Sequence, residues 1–296
     1  MYWRRKYETR AGKYIEEYHT RMDYTRGEKR HPREKKTPES KEKVNQRNRE
    51  KKVQLLLMNN FGEGDYYATL TYRREDRPPD MKTAKEHLAR AMRIIKREYR
   101  KAGEEVRWIS NIEKGSRGGW HIHLAINRIP DTDLILARAW RKDHGGVHTT
   151  LLYEEGGFRK LASYFAKRPE GEEGEEKKEH GYSRSRNLVM PKGEKKQIVR
   201  WNTWKDDIRV PKGYILDKGS VYDGVDSMGF PYRRYVLLAT EERRKEIAAR
   251  GASVRGSVKR RAKKNRKNGS VRSGSKKPGR KAAGHADGGG GAGGDL

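Results

Sequence analysis

Trp120-His121-Ile122-His123-Leu124-Ala125-Ile126 sets two histidines one residue apart within a run of β-branched and aromatic residues. Side chains of an extended chain alternate between faces, so both imidazoles point to one side of a sheet while Trp120, Ile122, Leu124 and Ile126 pack on the other. One rigid strand thus delivers two potential metal ligands. Upstream, Val106 to Ile112 reads as a second strand. The loop Lys114-Gly115-Ser116-Arg117-Gly118-Gly119 is a hairpin that returns the chain antiparallel along Trp120 to Asn127.

Further outward the periods alternate. Tyr67 to Tyr72 reads as a strand, and Thr83 with Glu86 forms a capping box opening a helix whose apolar stripe is Leu88, Met92, Ile95 and Tyr99, closed by Gly103. Asp131 or Thr132 caps a second helix through Trp140, Val147 to Tyr153 is another strand, and Gly157 to Arg168 another helix. The order β-α-β-β-α-β-α predicts an α+β fold of the split βαβ kind, an antiparallel sheet with helices packed on one face. Ile198 to Trp201, Ile208 to Leu216 and Tyr232 to Leu238 are strand-like pieces assigned to the same domain.

The chain carries 71 Lys and Arg against 41 Asp and Glu, a net charge of +30, which fits a polyanionic partner, nucleic acid above all. Residues 1–52 hold 18 basic and 9 acidic side chains, and residues 251–296 hold 13 and 2. Both stretches lack sustained apolar periods, so they are expected to be disordered basic arms, the first helical around Tyr14 to Met22 and the second ending Gly-rich. Residues 53–250 form the one expected domain. With no cysteine there is no thiolate zinc site, and any metal must be held by His, Asp or Glu. No apolar stretch approaches membrane-spanning length, and Met1-Tyr2-Trp3-Arg4-Arg5-Lys6 has charge with no apolar run behind it, so a cytoplasmic protein is expected.

Glu113 ends the strand that the hairpin pairs with the histidine strand, which brings its carboxylate beside the two imidazoles. Two nitrogens and one oxygen with open positions make a Lewis-acid site. In Phe158-Arg159-Lys160-Leu161-Ala162-Ser163-Tyr164-Phe165-Ala166-Lys167, the buried stripe is Phe158, Leu161, Ala162 and Phe165. Tyr164 lies on its flank with Lys167 beside it, so the hydroxyl is expected to face outward with an ammonium nearby. A metal-polarised phosphodiester could then be attacked by the phenol, the lysine offsetting developing charge.

The strand Tyr67 to Tyr72, Glu113 with His121-Ile122-His123, and Tyr164-Phe165-Ala166-Lys167 together resemble the three motifs of the HUH endonucleases that initiate rolling-circle replication. The resemblance spans about residues 66–168. It implies an HUH-like fold in which Glu113, His121 and His123 bind Mg or Mn, Tyr164 nicks one DNA strand and stays on the 5′ phosphate, and Lys167 assists. The freed 3′-hydroxyl would prime synthesis by a polymerase. Position 160, four before Tyr164, is Lys, so the chain resembles single-tyrosine enzymes. No Gly-x-x-x-x-Gly-Lys-Ser/Thr occurs, which leaves unwinding to a host helicase or to supercoiling and implies no nucleotide cofactor. A bacterial plasmid or phage replicon fits these features best.

DNA contact is expected from Lys114, Arg117, Arg184 and Arg186, the last two in a basic segment, Ser183 to Leu188, similar to one found after the tyrosine helix in such initiators. The partners expected are single-stranded DNA and an origin hairpin, with Trp201, Trp204 and Tyr182 as stacking surfaces. Alternatives are a relaxase, which usually carries a third histidine in place of Glu113, a single-tyrosine transposase, a zinc hydrolase, and a non-catalytic basic nucleic-acid-binding protein. His87, His144 and His148 are read as bystanders.

Overall fold

Alternating side chains set the strands of this chain, and helical stripes set what packs on them. In the computed structural model, which describes residues 1–19, 38–115, 118–152, 157–167, 182–201, 204–225 and 230–249, with the backbone alone for 38–41, the elements follow in order. They are β1 (Tyr2–Glu8), β2 (Gly12–Tyr18), α1 (Pro38–Asn60), β3 (Tyr66–Thr71), α2 (Met81–Lys101), β4 (Trp108–Lys114), β5 (Trp120–Ile126), α3 (Thr132–Trp140) and β6 (Val147–Leu151). There follow α4 (Arg159–Ala166), β7 (Ser183–Arg184), β8 (Gln197–Val199), β9 (Tyr214–Val225), β10 (Pro231–Ala239) and a helix over 241–249. The fold is α+β, as expected, with two antiparallel sheets rather than one.

The first sheet has the order β6-β3-β5-β4-β7. Trp120, Ile122, Leu124 and Ile126 are buried on one face against α2 and α3, where the predicted stripe Leu88, Met92, Ile95 and Tyr99 meets them. Asp80, not Thr83, caps α2: its carboxylate accepts the Thr83 N–H at 2.7 Å. An Asp three residues before that N–H satisfies an orphan donor of the first turn directly. The other end closes as predicted at Gly103, whose φ of +75° lets Glu104 N–H reach the Tyr99 carbonyl at 3.0 Å. Before α3, Asp131 stands at φ 61° and makes no side-chain cap; Thr132 instead bonds to Ile129 and to the Tyr99 hydroxyl.

Helices cover the second face of this sheet too, which corrects the one-faced arrangement. Val53, Leu56 and Leu57 of α1 and Ala162 and Phe165 of α4 close over Ile109 and Ala125. The expected boundary at residue 52/53 therefore falls inside a helix. Only the C-terminal half of α1 is apolar, and its charged N-terminal half carries no stripe that would announce it.

The second sheet, β8-β1-β2-β10-β9, is built largely from residues expected to form an arm. Residues 2–18 are not a disordered tail and hold no helix: β1 and β2 pair antiparallel, and β2 then pairs with β10 from the far end of the chain. Their charged residues are neutralised in place. Arg4 binds Glu17 at 2.6 Å, and Lys51 of α1 binds Glu16 at 2.5 Å, which is how two carboxylates sit buried in a strand. Gly12 has φ +152°, and a Cβ there would lie 2.0 Å from the Leu237 carbonyl oxygen, so no other residue fits. The expected tail 251–296, like 20–37, lies outside the described residues. Among the described residues no helix is long and apolar enough to cross a membrane.

Candidate active site

The hairpin register decides which side chains meet. Glu113 is the direct cross-strand partner of His121, and Asn111 that of His123. On the other side of β5, Thr71 faces His121 and Thr69 faces His123. All six belong to the sheet face that looks toward α1 and α4. His121 and His123 share that face as predicted, with ring centroids 6.4 Å apart and planes 25° from parallel. Gly115 of the hairpin loop closes on His121; a Cβ there would lie 3.2 Å from its Cε1.

Helix α4 carries the tyrosine to this face. Ala162, Phe165 and Ala166 are buried, and α4 lies along α1. The Asn111 amide donates to the Tyr164 backbone carbonyl at 3.3 Å, tying the helix to β4. The Tyr164 hydroxyl does not face outward as expected: it points into the sheet and donates to Oε2 of Glu113. Its ring stands edge-on to His123, centroids 4.8 Å apart at 87°. Lys167 is exposed, with its Nζ 5.9 Å from the centre of the same ring.

These placements shift protonation. Burial first, then the hydrogen bond to Glu113 and that carboxylate's charge, hold the Tyr164 phenol well above its ordinary range, so it is protonated at neutral pH. Burial depresses the His123 imidazole to about 4, against the opposing pull of Glu113, which leaves it neutral with a lone pair to offer.

Glu113 Oε2 and His123 Nε2 are 3.8 Å apart, a span that one divalent ion bound at about 2.0–2.2 Å by each would bridge. Among the described residues no three His, Cys, Asp or Glu side chains already close around a single point. The Glu113 carboxylate is engaged by Tyr164 instead. The donor set, two imidazoles and a carboxylate, has the chemistry of a divalent-cation site.

Residues that sequence reasoning passed over complete the site. The Tyr67 hydroxyl lies against His123 Nδ1, and Thr69 Oγ1 is 3.4 Å from the same atom. The polar alternation of Tyr67, Thr69 and Thr71 along β3 was the available signal. His148 is no unmatched bystander: it faces Thr69 from β6 and so shares the row of His123, though a whole strand separates them. His87 and His144 lie on the opposite side of the sheet, stacked at 4.2 Å beside Tyr72 and Trp140.

The expected DNA contacts divide. Lys114 is exposed but pairs opposite Trp120, which turns it to the face away from the imidazoles. Arg184, opposite Ile109 on the edge strand β7, is exposed on the imidazole face, and Arg186 is exposed after it. Arg117 lies outside the described residues. Trp201 is 68 % exposed, whereas Trp204 packs edge-on against Tyr2 and Tyr182 leans on the α1/α4 core, so only Trp201 is open for stacking.

Residues 65–169 match the model of a family described as Replication-associated protein, of the ORF2 type. That stretch runs from β3 to just past α4, contains Glu113, His121, His123, Tyr164 and Lys167, and excludes α1 and the second sheet. The resemblance to replication initiators drawn from the motifs is thereby borne out. No curated protein and no solved structure matches the chain.

Proposed function

We propose that this chain initiates rolling-circle replication by nicking single-stranded origin DNA. The observation that carries the reading is the Tyr164 to Glu113 hydrogen bond, which joins a nucleophile-bearing helix to the histidine strand across the sheet face. Glu113, His121 and His123 would hold Mg or Mn, which supplies Lewis-acid polarisation of a phosphodiester. The Tyr164 oxygen attacks phosphorus and passes its proton to Glu113, the acceptor it already touches. The bond from phosphorus to the 3′ oxygen breaks, that oxygen takes a proton from solvent, and the 5′ phosphate stays on tyrosine. Lys167 offsets the charge that develops beside the ring. The 3′-hydroxyl then serves a polymerase, with unwinding by a host helicase. Arg184 and Arg186 hold the strand by phosphate contacts.

The test is covalent capture. Purified protein with Mn or Mg is mixed with single-stranded oligonucleotides tiling the DNA around its own gene, and a denaturing gel reads the protein–DNA adduct. The parent is expected to attach to a 5′ end, Tyr164→Phe to lose attachment while keeping affinity within a few fold, and His121→Ala to lose metal-dependent cleavage. An adduct formed by the Phe variant would mean another nucleophile. A parent that forms none on any such DNA would return the protein to the class of non-catalytic binders.

A further inference from the structure

Helix α1 and the second sheet lie outside the stretch matched by the family model, and they enclose an open groove. Its main cavity, about 580 Å³, is lined by Lys43, Gln46, Arg47, Arg49 and Tyr222. A smaller one of about 130 Å³ shares Arg47 and adds Lys51, Tyr232 and Arg234.

The charges here are not balanced. Glu16 is taken by Lys51 at 2.5 Å and by the Tyr232 hydroxyl at 2.8 Å, and Glu42 by Arg49 at 2.8 Å. Arg47 donates only to neutral acceptors, the Tyr222 hydroxyl at 2.9 Å and the Val225 carbonyl at 3.1 Å. The guanidiniums of Arg47 and Arg234 lie 5.5 and 5.3 Å from the centre of the Tyr222 ring. Among the described residues Lys43, Arg47 and Arg234 have no carboxylate at salt-bridging distance. Guanidinium forks oriented by neutral groups around an aromatic ring in a concave slot suit a phosphate-bearing strand, and the slot has the size of a small-ligand cleft rather than of a duplex.

The groove also leads to the nucleophile. Gln46 donates to Glu50 Oε1 at 3.1 Å, and the Ser163 hydroxyl donates to that same oxygen at 3.2 Å. Ser163 precedes Tyr164, so one turn of α1, about 5.4 Å, separates the groove lining from the tyrosine helix.

We infer that this groove binds the sugar–phosphate backbone of single-stranded nucleic acid flanking the phosphate presented to Tyr164. The identity of the strand rests on the nicking function; the groove's affinity for a single strand does not. The test uses the full chain and a labelled oligothymidylate of about 30 nucleotides, followed by anisotropy over a salt series. Lys43→Gln with Arg47→Gln is expected to weaken binding about tenfold at low salt and to flatten the salt dependence by about 0.7 for each phosphate that is no longer neutralised. Arg93→Gln with Lys96→Gln, the same charge change at exposed positions of α2, should alter affinity no more than about twofold. Because Arg47 also holds Tyr222, the exposed Lys43→Glu is measured alone, with a weakening of about threefold or more expected. Equal weakening in both double variants, or parental affinity in Lys43→Glu, overturns the groove. Intact oligothymidylate binding without covalent capture on any origin oligonucleotide would overturn the nicking function and leave the groove standing.

Discussion

The Tyr67 hydroxyl stands 2.7 Å from Nδ1 of His123, with the two rings within 11° of parallel and 5.8 Å between centroids. For Nε2, the nitrogen nearer Glu113, to present a lone pair, Nδ1 must carry the proton and donate it to the tyrosine oxygen. Tyr67 thus sets both the tautomer and the orientation of His123.

Tyr67→Phe keeps the stacked ring and removes only the acceptor. Manganese affinity, read by calorimetry, is expected to fall about 10–100-fold with the fold unchanged by circular dichroism. Unchanged affinity would show that the hydroxyl does not orient the imidazole.

Asn111 is buried and joins β4 to the carbonyl of Tyr164. Asn111→Ala should cost about 0.5–1.5 kcal/mol in thermal or urea unfolding. Covalent capture should slow by about tenfold or more, because the tyrosine helix loses its tether to the sheet. A variant with the stability loss but the parental rate of capture would assign Asn111 to folding alone.

Residues 2–18 supply two adjacent strands of the second sheet. A chain lacking residues 1–19 is expected to be insoluble or to melt without cooperativity, whereas a disordered arm could be cut with no loss. Gly12→Ala is the milder form, with the left-handed backbone and the close approach of Leu237 predicting a loss of about 1–3 kcal/mol or more. Soluble, cooperatively melting truncated protein would contradict this strand pairing.

Burial holds the imidazoles of His87 and His144 below their ordinary range; Arg90 acts with it on both, and Asp76 against it, joined by Glu86 at His87 and Asp143 at His144. The unfolded chain takes up these protons first as pH falls. Their contribution to stability is therefore whole above about 6.5 and is lost as the pH drops toward the lower folded-state values. Melting temperature should decline from pH 7 to pH 5, and His87→Phe, which keeps a ring in the stack, should flatten part of that decline. The remainder belongs in part to His123, which is depressed by burial in the same way. A pH profile unaltered by His87→Phe would exclude the pair.

The sequence by itself determined the hairpin, the shared face of His121 and His123, the partnership of Glu113 with them, the apolar stripe of α2 and the choice of Tyr164. Each of these rests on a local period or a short loop, and a two-residue repeat leaves little freedom in where a side chain points. Only the tertiary structure decided that β1 and β2 are strands. Their charged residues look solvated in sequence and become buried through partners far along the chain: Lys51 for Glu16, and β10 for β2. It also decided that the Tyr164 hydroxyl turns inward to Glu113, since that depends on α4 packing against α1, and that His148 and Tyr67 stand in the histidine row. Strand order and helix packing join residues 50 to 200 positions apart, and no periodicity in a short window encodes which of them will meet.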